Sequence, residues 1–175
     1  MLGLFFAVQV LAQTNNSAKA ELSLGVTEVS LVKVSGDVIT LQLKPREAGL
    51  SLESSTSDST ARLLISSVVS AQPRTLSARI SDGRVPSGTM LQIEAKQPNV
   101  AFVGSAGIFA SPVVLDETDK PFITQIMTCY SGTELSDGYP IKFIFSLSGD
   151  ASTYGSIRAS TNTSVTVTLT LTESQ

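Results

Sequence analysis

The sequence predicts an all-β protein, an antiparallel β-sandwich with open edges, and three observations carry that reading. Short apolar–polar alternations recur along the chain, separated by Gly, Pro and Asp turns, as in proteins built from many short strands. No window of useful length repeats its apolar residues at the helical period. Ser and Thr, 26 and 18 of the 175 residues, stand where helix-forming Lys and Glu usually stand. Only 15% of the chain is charged, against about a quarter in ordinary domains. Thr favours strands, and Ser favours turns and solvated strand faces.

The elements follow in order. Residues 1–12 form a short apolar run ending in small residues. It is too short to span a bilayer and suits the core of a signal peptide, with Val10 and Ala12 placed for cleavage before Gln13 and Ala18-Lys19-Ala20 offering a second site. Residues 13–19 read as a polar spacer, and a single β-sandwich domain is expected over 20–175. Ala20 to Val26 alternates at the strand period, and the phase shifts near Thr27-Glu28, where a bulge or strand switch is expected. Gly36-Asp37 reads as a tight turn between Val29–Val34 and a strand over Val38–Leu43. Pro45 to Ala61 is a Ser-rich surface connection with a short edge strand around Leu50–Leu52. Arg62–Val69 is a strand, and Thr75–Ile80 is another, with Leu76, Ala78 and Ile80 inward. After turn signals at Ser81–Gly83 and Pro86–Gly88, Thr89–Ala95 points Leu91, Ile93 and Ala95 inward.

The second half reads in the same way. Gln97–Ser111 is loop-like. Val113–Leu115 and Phe122–Met127 flank an acidic turn, and Tyr130–Tyr139 is a polar loop. Ile141–Leu147 is a strand opened by Pro140, and Tyr154–Ala159 is a short one. Val165–Thr172, four apolar residues alternating with four threonines, is the clearest strand signal.

Composition narrows function by exclusion. The net charge is −3 with no basic cluster, so a nucleic-acid footprint is not expected. No later segment is long and apolar enough for a membrane span. With no histidine and one cysteine, Ser-His-Asp and Cys-His chemistry and the common zinc sites are excluded. Ser30-Leu31-Val32-Lys33 matches S-x-x-K, but that motif works at a helix start with partners this chain lacks. The scattered acids read as solvated turn residues. Asp116-Glu117-Thr118-Asp119 offers clustered oxygens yet fits no calcium loop. The chain is therefore expected to be no enzyme and to carry neither metal nor cofactor. Cys129 reads as a buried thiol, with a disulfide-linked dimer as the alternative. The stretch Cys129–Pro140 is the candidate recognition loop, with Tyr130, Asp137 and Tyr139 as contact residues; the tyrosines read equally as strand-end anchors.

The closing Val165–Thr172 strand, Tyr154-Gly155-Ser156 before it and the alternating N-terminal segment resemble secreted subunits of bacterial surface fibres. These are the pilins of chaperone–usher fimbriae and the spore-coat-U-like group. The resemblance covers the overall plan, and the paired cysteines common in those pilins are missing. It implies an immunoglobulin-like or pilin-like sandwich in which one subunit's N-terminal segment completes its neighbour's sheet. Ala20, Leu22, Leu24 and Val26 would then be the donor residues. The expectation is a secreted structural or adhesive cell-surface protein, a fimbrial subunit assembling by strand complementation, whose partner is itself or another surface protein. An extracellular module that binds a glycan or protein through the 129–140 loop is the alternative.

Overall fold

A computed structural model describes residues 21–35, 38–98, 101–134, 136–149, 154–159 and 163–174. The expected signal peptide, the spacer, Ala20 and the Gly36-Asp37 turn lie outside the described residues. Twelve strands are defined among them: β1 (Val29–Ser35), β2 (Ser55–Asp58), β3 (Arg62–Val68), β4 (Arg74–Gly83), β5 (Thr89–Ala95), β6 (Val103–Gly104), β7 (Ile108–Phe109), β8 (Val113–Val114), β9 (Lys120–Ile126), β10 (Cys129–Tyr130), β11 (Tyr139–Leu147) and β12 (Val165–Glu173). They form two antiparallel sheets, a sandwich as expected. The larger runs β6-β10-β3-β11-β5-β8, with β1 beside β3 and β2 beside β11; the smaller runs β12-β4-β9-β7.

The chain crosses repeatedly between the sheets. From β3 it passes to β4 in the smaller sheet, returns at β5, crosses again at β7, and returns at β8. Each crossing carries an apolar face to the shared interior. Leu63 and Ile65 of β3, Ile93 and Ala95 of β5, and Tyr139 and Ile141 of β11 meet Leu76, Ala78 and Ile80 of β4 and Phe122, Ile123 and Ile126 of β9. All are buried, and they follow the period of two that puts alternate side chains on one face. In β9, Phe122 and Ile123 are both buried because the register against β4 shifts. Gln125 then takes φ 58°, and Ile126 returns to the core opposite Arg74.

Four expected strands differ. Of Ala20–Val26, the described residues 21–26 join no strand and are exposed. Val38–Leu43 joins no ladder among the described residues, although Ile39, Leu41 and Leu43 are half-buried and their neighbours exposed. The alternation marks an extended segment lying one face down, and extension alone supplies no partner for its amides. The edge strand expected at Leu50–Leu52 lies instead at Ser55–Asp58, where Thr56 and Ser57 pair with Phe145 and Ile144 of β11. Tyr154–Ala159 is not a strand; the Tyr154 hydroxyl accepts the Leu52 amide at 3.0 Å, so this segment braces the 50–55 connection.

Candidate functional site

The loop from Cys129 to Pro140 is built to close one end of the sandwich. Ser131 is buried and takes the place of a ladder residue: its N–H donates to the Ile65 carbonyl at 3.0 Å, and its Oγ accepts the Ile65 N–H at 2.8 Å. Asp137 folds the turn back, its carboxylate accepting the Glu134 N–H at 3.0 Å while its own N–H donates to the Glu134 carbonyl. Tyr139 is wholly buried. Its hydroxyl donates to the Ala106 carbonyl at 3.1 Å, and its ring meets Phe102 edge-on at 5.4 Å and Phe109 at 5.9 Å. Because β6 lies in one sheet and β7 in the other, this bond pins the crossover between them. Burial pushes the Tyr139 pKa far above the ordinary phenol range.

Tyr130, Asp137 and Tyr139 are therefore not brought together as one contact surface. Tyr130 alone among the three is exposed. Cys129 is buried too, and burial pushes its thiol pKa up, which disfavours the reactive thiolate.

The acidic turn is internally matched. Asp116 Oδ1 accepts hydrogen bonds from the Thr118 hydroxyl and N–H, and Oδ2 meets Lys120 Nζ at 2.9 Å. Asp119 faces Arg79 at 3.9 Å and Glu117 faces Arg84 at 4.0 Å. The Thr118 hydroxyl, then Lys120 and the Thr118 amide, hold the Asp116 pKa at about 2. A depressed carboxyl pKa favours the fold above the unfolded value of about 3.9, and that contribution is lost as pH falls through the folded value. NMR titration of Asp116 is expected to show a midpoint near 2, and Thr118→Val is expected to raise it.

Ser30 and Lys33 leave opposite faces of β1, since Ser30 stands opposite inward-facing Ser67 and Lys33 opposite outward-facing Leu64. A strand cannot bring the two together.

The N-terminal side of the sandwich carries the surface that stands out. Leu22, Leu24 and Val26 are 75%, 89% and 87% exposed, and residues 21–28 join no strand. β1 then pairs along its whole length with β3. Val32 and Val34 stand opposite Ile65 and Leu63, and directly opposed residues of an antiparallel pair share a face. Ile65 and Leu63 belong to the core, so Val32 and Val34 point to the core side as well, yet they remain 39% and 49% exposed. Among the described residues, none from β1 belongs to the core cluster or packs on it.

Facing this gap is β12, which among the described residues pairs with β4 alone. Its inward residues Val165, Val167, Leu169 and Leu171 are only partly buried, and β1 and β12 lie close to one another. From Val165 to Thr172 the β12 edge has no charge and no proline, the devices that usually block pairing with another chain. The result is an apolar seam bounded by two strand edges. Sequence reading found the donor-like alternation of Leu22, Leu24 and Val26. It missed the seam, because which side of a strand lacks a neighbour is decided by topology.

One side-chain bond ties the segment down. Glu28 Oε1 accepts from Arg74 Nη2 at 2.9 Å.

Comparison with family models, curated proteins and solved structures gives no match. No helix among the described residues is long and apolar enough to cross a membrane.

Proposed function

We propose that this chain is a secreted structural or adhesive protein of the cell surface, a non-enzymatic subunit that assembles by β-strand complementation. The observation that carries the reading is the coexistence, in one chain, of exposed apolar residues at the strand period, Leu22, Leu24 and Val26, and of a β12 edge that pairs on one side alone among the described residues. Exchanged between copies, residues 21–35 would pair with the neighbour's β3 as β1 does here and bring Leu22, Leu24 and Val26 toward its β12 edge. Export is supported by the apolar run at residues 2–12.

Magnitudes show what the seam must supply. Three aliphatic side chains buried at about 1.5–3 kcal/mol each give roughly 5–9 kcal/mol. Association costs roughly 4–15 kcal/mol in lost freedom. The three side chains therefore do not drive tight assembly alone, and backbone pairing with covering of the seam has to add to them.

Size-exclusion chromatography with light scattering and negative-stain microscopy, on protein beginning at Gln13, test this. Oligomers or fibres are expected, and removal of residues 13–26 is expected to abolish them. A stable monomer at all concentrations would overturn the proposal.

A further inference from the structure

Arg74 opens β4 in the smaller sheet, opposite Glu173 of β12 and Ile126 of β9. Its side chain is only 7% exposed, and its Nε is buried without a partner. A guanidinium does not shed its proton in a protein, so the charge stays where the sheet holds it. Glu28 is different. Its side chain is 41% exposed, and it lies just before β1, which belongs to the other sheet and contributes nothing to the core. Among the described residues, Arg74–Glu28 is the one side-chain hydrogen bond or ion pair joining residues 21–34 to the smaller sheet.

The two partners are thus unequal. Arg74 is fixed and buried, whereas Glu28 rides on a segment held by one strand edge. If that segment leaves, the guanidinium loses the one carboxylate paired with it among the described residues. Glu173 opposite it on β12 makes no ion pair with it, so removing one partner of the pair is unfavourable. A purely apolar strand arriving in its place would not restore the balance. The same segment from a second copy would, because it brings a carboxylate to the same point.

We propose that Glu28 and Arg74 form a latch on the N-terminal strand, and that Arg74 selects what can replace that strand: residues 21–35 of another copy of this chain. The choice of partner rests on the self-association reading, while the latch acts within the monomer. It sets how readily β1 opens, and it discriminates against strands that match the seam in apolar pattern but lack the acid.

Hydrogen exchange read by mass spectrometry tests the latch on the full chain, at a concentration where light scattering shows monomer. Glu28→Ala is expected to speed exchange over residues 29–35 about tenfold while Leu76–Ile80 keep their rate. The double reversal, Glu28→Arg with Arg74→Glu, is expected to slow residues 29–35 again relative to Glu28→Ala. Unchanged exchange at 29–35, or equal acceleration in both regions, would overturn the latch.

Selection is tested by adding a fluorescent peptide of residues 21–35 to the intact chain. Capture of this peptide about tenfold more tightly than its E28Q version is expected. Equal capture of the two, or capture of neither, would overturn the selection role. A chain that never oligomerises would count against the assembly reading alone, since the exchange rates decide the latch separately.

Discussion

Tyr139→Ala is expected to destabilise the protein by roughly 3–5 kcal/mol, the range for deleting a fully buried aromatic ring. Tyr139→Phe is expected to cost only about 1–2 kcal/mol. The ring fills the end of the core against Phe102 and Phe109, and the Phe variant keeps those contacts. What Phe loses is the donor to the Ala106 carbonyl, leaving one acceptor unpaired. Urea unfolding checks both, with the midpoint falling at unchanged slope. A drop below about 1 kcal/mol for the Ala variant would mean that the site collapses around the missing ring. Against a total of roughly 5–15 kcal/mol for a domain, the Ala variant loses much of its stability. Lost binding in that variant would therefore say nothing about recognition. Tyr130→Ala is the informative change, because Tyr130 is exposed and its loss is expected to stay within about 0.5 kcal/mol.

Legibility followed locality. The inward sets Leu76/Ala78/Ile80 and Val165/Val167/Leu169/Leu171 were readable because a period of two is written in consecutive residues, and both lie on the core side as expected. Pairing is not local. Val38–Leu43 carries the same alternation and joins no ladder. Ser55–Asp58 carries no apolar signal, yet it is a strand because Phe143–Ser146 of β11 offers an edge there. Tyr139 was ambiguous for a related reason: its polar neighbours suggested a loop tip, and only the fold shows the ring turning inward. The Glu28–Arg74 bond joins residues 46 apart in the chain and has no motif. Its one trace in the sequence is that Glu28 sits where the N-terminal alternation changes phase.

Gly138→Ala is expected to cost well over the about 1–2 kcal/mol that a left-handed backbone imposes on a residue with a Cβ. Gly138 has φ +82°, and a Cβ there would lie 2.3 Å from the Leu63 carbonyl oxygen and 2.9 Å from its carbon. Those are backbone atoms of a core strand, and Leu63 is also the ladder partner of Tyr139. Relief of the clash must move either β3 or the start of β11, and with it the Tyr139 hydroxyl from Ala106. Gly49 supplies the control, since its φ is +89° and nothing lies within 4 Å of a Cβ placed on it. Gly49→Ala therefore carries the conformational cost without the collision. Urea midpoints for the two variants should separate clearly, with Gly138→Ala far lower. Combining Gly138→Ala with Tyr139→Phe should cost less than the sum of the two, because neighbours sharing one partner are not additive. Equal midpoints for the two glycine variants would mean that backbone conformation, and not the approach to Leu63, accounts for glycine at 138.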